Sequence, residues 1–199
     1  RNREPGLLGV VADIVKVEKA YEAAIETALG GSIQNIVTDN EDTAKRMIGF
    51  LKKNKYGRAT FLPLTSVSAR GGLNRPEVLK ETGVIGLADT LVKVDPKYRE
   101  LAASLLERTV VVDNIDRGIA IARKYKQSLR LVTLEGDLLN PGGSMTGGAF
   151  RNSSNLLSRR REIEDLEKRV AHWKESMELL ELETEALRAR RTACYTAMD

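Results

Sequence analysis

Catalysis and metal binding rest on a few residue types, and this chain holds few of them. Its one histidine is His172 and its one cysteine is Cys194. A Cys/His metal cluster cannot be assembled from one of each. No histidine stands near Cys194 in sequence to activate it as a nucleophile. Asp39, Glu41 and Asp42 form an acidic cluster able to hold Mg²⁺. They also stand where a helix begins, and a carboxylate there caps free backbone N–H groups. Asp113 and Asp116 recur at the same place later in the chain, which favours capping by Asp39 or Asp42. No catalytic constellation and no metal set emerges, so the chain is expected to be neither an enzyme nor a cofactor carrier.

The other stretch able to do chemistry is Asn140-Pro141-Gly142-Gly143-Ser144-Met145-Thr146-Gly147-Gly148-Ala149. Glycine permits positive φ and close approach of another backbone, at a cost in conformational entropy. Three readings compete. A phosphate cradle would want the Gly-Lys-Ser/Thr ending of a P-loop, which is absent. A turn is possible but rarely needs four glycines. The third is a strand edge against which a second chain packs.

Charge segregation is the stronger signal. The net charge of +4, from 32 basic and 28 acidic residues, is mild, but its distribution is not. Between Asp42 and Glu77 there is no acid, while Lys45, Arg46, Lys52, Lys53, Lys55, Arg58, Arg70 and Arg75 are basic. Two further acid-free blocks hold Arg117, Arg123, Lys124, Lys126 and Arg130, then Arg151, Arg159, Arg160 and Arg161. Such residues often only cover solvated helix faces. Three blocks together form a surface suited to the phosphate backbone, with little sequence readout. Tyr56 either stacks on an unpaired base or packs over its own helix end.

The elements that must position these residues follow from periodicity. Leu7 to Val17 reads as extended, and Glu18 to Leu29 as a helix burying Ala20, Tyr21, Ala24, Ile25 and Ala28, stopped by Gly30-Gly31. A strand from Ile33 to Thr38 precedes a capped helix to about Asn54, which buries Ala44, Met47, Ile48 and Leu51. Arg58 to Leu64 is a further strand. The plan then recurs. An offset of 77 lays Val94 on Val17 and Tyr98 on Tyr21, and an offset of 74 lays Asp113-Asn114 on Asp39-Asn40. The predicted class is therefore α/β of the mixed α+β kind: two similar subdomains, with mixed sheets and covering helices.

From Leu156 the chain changes character. Leu156, Ile163, Leu166, Val170, Trp173, Met177, Leu180 and Leu187 step by 7, 3, 4, 3, 4, 3 and 7, a heptad seam. A solvent-exposed amphipathic helix is the simpler alternative. Arg191 and Cys194 break the seam, so fraying is expected at the end.

With 42% hydrophobic residues the 199-residue chain can build a core. Arg1 is not an initiator methionine, so a piece of something longer is expected. No run reaches a membrane span and no signal peptide is evident. The lone cysteine fits a reducing, cytoplasmic setting.

A duplicated α/β region, paired glycines near its end and a heptad helix leaving at once resemble the hinge of structural maintenance of chromosomes (SMC) proteins. Tyr56 to Leu64 (YGRATFLPL) and Leu134 to Phe150 (LEGDLLNPGGSMTGGAF) resemble the bacterial, condensin-type hinge in particular. The likeness covers about residues 6–150 and continues into the coil. It implies the end of an incoming coiled-coil arm at 1–5, subdomains at 6–75 and 76–150, and an outgoing arm at 151–199. It also implies a homodimer meeting at Gly142, Gly143, Ser144, Met145, Thr146, Gly147 and Gly148. DNA binding, single- or double-stranded, is implied at Lys52, Lys53, Lys55, Arg58 and Arg151. The family's longer chain is an ATPase that works in chromosome condensation and segregation at the nucleoid. The ATPase motifs are absent here, so no hydrolysis is expected of this chain. The arm that would run antiparallel to the long helix is nearly absent too, leaving a seam that frays or packs on a second molecule. The alternative is a nucleotide- or phosphate-binding α/β domain using the 142–148 loop.

Overall fold

The computed structural model describes residues 4–69, 71–148 and 156–197. They divide into two compact units, one ending at Ser158 and the other beginning at Arg159.

In the first unit, strand β1 (Leu7–Val10) pairs antiparallel with β3 (Ile36–Thr38), and β3 pairs parallel with β4 (Phe61–Pro63). The extended run expected from Leu7 to Val17 is interrupted. Val11–Ile14 forms one helical turn, α1, before β2 (Lys16–Val17). β-Branched residues disfavour helix, so burial decides here. Val11 is fully buried, and its N–H donates to the Asn35 carbonyl at 3.0 Å.

Helix α2 (Glu22–Leu29) buries Ala24, Ile25, Ala28 and Leu29 and stops at Gly30, whose φ is +51°. Its lead-in, Lys19–Tyr21, is a 3₁₀ turn. The tighter winding shifts the phase of the apolar stripe, so Ala20 is exposed rather than buried. Ile33 lies in a second 3₁₀ stretch, Gly30–Gln34, so the next strand starts later than expected.

Helix α3 (Glu41–Lys53) is capped by Asn40, not by Asp39 or Asp42. Asn40 has the extended backbone a cap requires, and its Oδ1 accepts the Thr43 N–H at 2.9 Å. Asp39 steadies this cap by accepting the Asn40 N–H at 2.7 Å, while Asp42 is already inside the helix. Of the face expected to be buried, Ala44 is covered and Met47 and Leu51 are half-covered. Ile48 stays 40% exposed. The short strands β3 and β4 beneath α3 do not extend far enough to cover it.

The second half repeats the order. Strand β5 (Val84–Leu87), a 3₁₀ turn, β6 (Val92–Lys93), helix α4 (Arg99–Leu106), β7 (Thr109–Val112), α5 (Ile115–Lys124) and β8 (Arg130–Thr133) follow one another. The repeat reaches individual hydrogen bonds. Asn114 caps α5 by accepting the Arg117 N–H at 3.0 Å, and Asp113 accepts the Asn114 N–H at 2.8 Å. Asp39 N–H donates to Gly6 O at 3.0 Å, and Asp113 N–H to Gly83 O at 2.9 Å. Gly6 and Gly83 both hold φ +91°, which a side chain would strain.

The halves are joined by the antiparallel pair β2–β6 and by one core. Ile25 of α2, Leu101 and Leu106 of α4, Val111 and Val132 belong to the same buried cluster. The second sheet is longer than the first. Beyond β8 it adds β9 (Leu138–Leu139) and β10 (Met145–Thr146), giving the order β10-β9-β8-β7-β5.

Helix α6 (Leu156–Thr196) has 41 residues and runs past Arg191 and Cys194. In the first unit its opening turn is anchored: Leu157 is 5% exposed and belongs to the shared core. In the second unit the seam residues Ile163, Leu166, Val170, Trp173, Met177, Leu180 and Leu187 are all exposed, and His172 lies beside Trp173.

Glu26 fastens that opening turn. It is buried, and its Oε1 accepts the Leu156 N–H at 3.2 Å, while Oε2 has no partner among the described residues. Burial raises its pKa above 4.5, the Leu156 and Leu157 amides oppose this, and Glu22 adds to it. The folded state therefore holds this proton more tightly than the unfolded chain does. Stability should fall as pH rises from about 4.5 through the folded pKa. Glu26→Gln should flatten that part of the curve in urea unfolding at stepped pH, and an unchanged slope would refute the assignment.

Candidate association edge and basic surface

The glycine stretch is a hairpin. Leu139 is buried and seats β9 against β8, with Leu131 opposite it. Met145 then pairs with Leu139, and Thr146 with Leu138. The turn between them is closed by Asn140 N–H to Ser144 O at 2.9 Å and Gly143 N–H to Asn140 O at 3.0 Å. Gly142 and Gly143 have φ of +87° and +93°, so the first pair of glycines is there for the turn.

The second pair serves another purpose. A Cβ on Gly147 would strike the carboxylate of Asp137. Asp137 cannot easily yield, because the Thr133 hydroxyl donates to it at 3.1 Å and its own N–H donates back at 2.9 Å. Gly147 thus leaves room for Asp137, and Gly148 holds φ +140°, in the region that favours glycine.

A phosphate cradle needs free amides. Gly142 N–H is spent on Gln127 O at 2.9 Å and Gly143 N–H on Asn140. The loop is therefore a poor anion nest. The edge it carries is open. β10 ends the order of its sheet, with β9 as its only hydrogen-bonded neighbour among the described strands. Ser144 to Gly148 are exposed, Met145 by 52%, and none is charged. Edge strands are commonly guarded by charges or proline, and this one is not.

The first sheet also ends in an edge that is open among the described strands. β4 occupies in the first half the place of β8 in the second, but the first sheet stops there, in the order β1-β3-β4. Phe61 and Leu62 are half-buried.

The basic residues separate into neutralised and free. Arg46 is held by Glu4 at 3.5 Å, Lys124 by Glu81 at 2.7 Å, and Arg117 by Asp113. Lys124 and the Tyr125 hydroxyl both donate to Glu81 and hold its carboxyl below the usual range. By contrast Lys52, Lys53, Lys55 and Arg58 are exposed and take part in no ion pair among the described residues. They follow one another around the end of α3, where Lys55 adopts left-handed φ +55° and Tyr56 N–H donates to Leu51 O at 3.0 Å. Arg151 lies outside the described residues.

Tyr56 does pack over its helix end, with its ring 5.9 Å from that of Phe50 and inclined by 55°. Both rings remain open, Phe50 by 51% and Tyr56 by 61%. Phe50 escaped sequence reasoning because it lies off the apolar face of α3. Its six-residue spacing from Tyr56 matters only once the chain reverses at Lys55. Asp137 escaped for a similar reason, since its role is defined by a strand that folds back on it. Cys194 is an exposed free thiol. Among the described residues no group of His, Cys, Asp and Glu is arranged to hold a metal, and no helix is long and apolar enough to cross a membrane.

Comparison with known proteins agrees with this geometry. Residues 4–122 match the family described as SMC proteins flexible hinge domain. The chromosome partition protein Smc of Bacillus subtilis is 41% identical over 191 residues, covering 94% of this chain and 16% of that protein. The homologous protein of Methanocaldococcus jannaschii is 41% identical over 152 residues, covering 76% of this chain and 13% of its own length. The chain thus spans about one-sixth of the B. subtilis relative. Among solved structures, an asymmetric dimer of the Geobacillus stearothermophilus SMC hinge domain superposes with a TM-score of 0.76 at 41% identity, covering 89% of this chain and 72% of that one. The Pyrococcus furiosus Smc hinge domain with an extended coiled coil gives 0.63 at 32% identity, covering 94% of this chain and 66% of that one. The mixed α/β fold and the long helix that follows it are those of an SMC hinge, the part of such proteins distinct from the ATPase head, and the chain belongs to the SMC flexible-hinge family.

Proposed function

We propose that this chain joins two copies of a chromosome-partition subunit through the open edge at β10. The observation that carries the proposal is the unequal length of the two sheets. One half ends at β4 where the other continues into β9 and β10, and β10 presents an uncharged edge. Strand β10 of one copy extends the first sheet of its partner beside β4, and the reciprocal contact closes a two-fold ring. Gly142, Gly143, Ser144, Met145, Thr146, Gly147 and Gly148 form the interface. The repeated element order supports reading 6–75 and 76–150 as the two subdomains, with arm segments at 1–5 and 151–199. The G. stearothermophilus hinge, solved as an asymmetric dimer, supports the pairing of two copies.

Lys52, Lys53, Lys55 and Arg58 bind the backbone of DNA without reading its sequence, together with Arg151. Phe50 and Tyr56 favour single strands, because exposed rings can stack on unpaired bases. In the whole protein the seam of α6 pairs with an antiparallel arm leading to an ATPase head. The dimer then supports chromosome condensation and segregation at the cytoplasmic nucleoid.

Sedimentation equilibrium should give twice the 22.0 kDa chain mass, and the same association for a chain cut after Ser158. Thr146→Pro, or alanine at all four glycines, should yield a monomer. A parent chain that is monomeric, or a dimer lost only on removing α6, would overturn the edge reading.

Alanine at Lys52, Lys53, Lys55 and Arg58 should weaken single-stranded DNA binding. It should also reduce the salt slope by about 2 to 3, from ~0.7 for each phosphate no longer neutralised. Tyr56→Ala should weaken it by a further ~1–3 kcal/mol. Binding equal to the parent's in the quadruple variant would show that DNA lies elsewhere.

A further inference from the structure

Three arginines that sequence distance keeps apart meet at one cavity. Arg75 comes from the segment before β5, Arg108 from the turn between α4 and β7, and Arg130 from the start of β8. The cavity measures about 500 Å³, and no acidic residue lines it among the described residues. That volume suits a nucleoside monophosphate rather than an ion alone.

Its walls divide by chemistry. Leu73, Leu105 and Leu129 give it an apolar side, Leu129 being 4% exposed. The two serines do not compete with the arginines as donors. Ser104 donates to Leu101 O at 2.8 Å and Ser128 to Tyr125 O at 2.6 Å, so each hydroxyl proton is already used. Guanidinium groups supply the charge, and their planar fork matches phosphate oxygens in pairs.

We propose that this cavity binds a nucleoside phosphomonoester, its phosphate held by Arg75, Arg108 and Arg130 and its base or sugar against the leucines. A monoester carries close to two negative charges at neutral pH, which suits a cluster of guanidinium groups better than a diester does. Arg130 is the inner contact. It is half-buried, it makes no ion pair among the described residues, and burial alone lowers its pKa. An anion restores what that burial removes. Arg75 is the outer contact, since its pair with Glu77 is 3.6 Å long and both side chains are more than half exposed. The site is separate from the lysines at the end of α3 and does not rest on the DNA-binding reading. The same chemistry has two sources, a free nucleotide or the 5′-terminal nucleotide of a strand.

Calorimetric titration of the intact chain with AMP, adenosine and inorganic phosphate provides the test. AMP should bind, adenosine should not, and inorganic phosphate should bind more weakly than AMP. Arg130→Gln should weaken AMP about tenfold or more, as expected for a lost charge-assisted pair. Arg75→Gln, at an exposed side chain, should weaken AMP severalfold and carries the test if Arg130→Gln lowers thermal stability. A parallel titration compares a ten-residue oligothymidylate with and without a 5′-phosphate. A 5′-phosphate that tightens binding, and loses that advantage in Arg75→Gln, identifies a strand end; a response to AMP alone identifies a free nucleotide. Equal binding of AMP and adenosine, or AMP binding untouched by both substitutions, would overturn the site.

Discussion

The first unit depends on one shared apolar core. Ile25, Leu101, Leu106, Val111 and Val132 come from both halves and share one buried cluster. Burial at about 25 cal/mol per Å² makes this the largest favourable term. Its consequence is positional. The core fixes α2 against α4, holds the pair β2–β6 between the halves, and seats Leu157 at the start of α6. The first turn of α6 is therefore tied to the core, with Glu26 accepting the Leu156 amide.

Because that core is shared, the two sheets need not be equal. The first stops at β4 and the second continues to β10. A duplicated fold that is extended in one copy only leaves one edge unsatisfied and another strand to spare. Exposed ladder edges carry a real cost in aggregation and unpaired backbone, which a monomer usually hides with charge or bulge. Here the residues from Ser144 to Gly148 carry no charge and need close packing at Gly147. Such an edge makes sense as a contact surface.

Electrostatics divides the surface in a similar way. A sequence rich in lysine and arginine says little about which cations are available. Glu4, Glu81 and Asp113 each engage a nearby cation, while the end of α3 keeps its four. The contrast arises because α3 ends in a run without acids, and the folded chain brings none beside it among the described residues.

Much of this was legible in the sequence. The α/β class, the duplication, the long helix with its seam, and the glycine and basic stretches all follow from periodicity and composition. These are local properties, set by the spacing of apolar positions and by what glycine permits. Other features were decided only by tertiary contact. Val11–Ile14 is helical because burial overrides the β preference of its residues, and Asn40 rather than Asp39 caps α3 because the backbone there is extended. Ile48 is exposed because the strands beneath it are short, and Gly147 is needed because Asp137 lies opposite. The meeting of Arg75, Arg108 and Arg130 at one cavity was invisible for the same reason. Sequence determines what each segment prefers locally, whereas contacts between distant segments exist only once the chain has closed on itself.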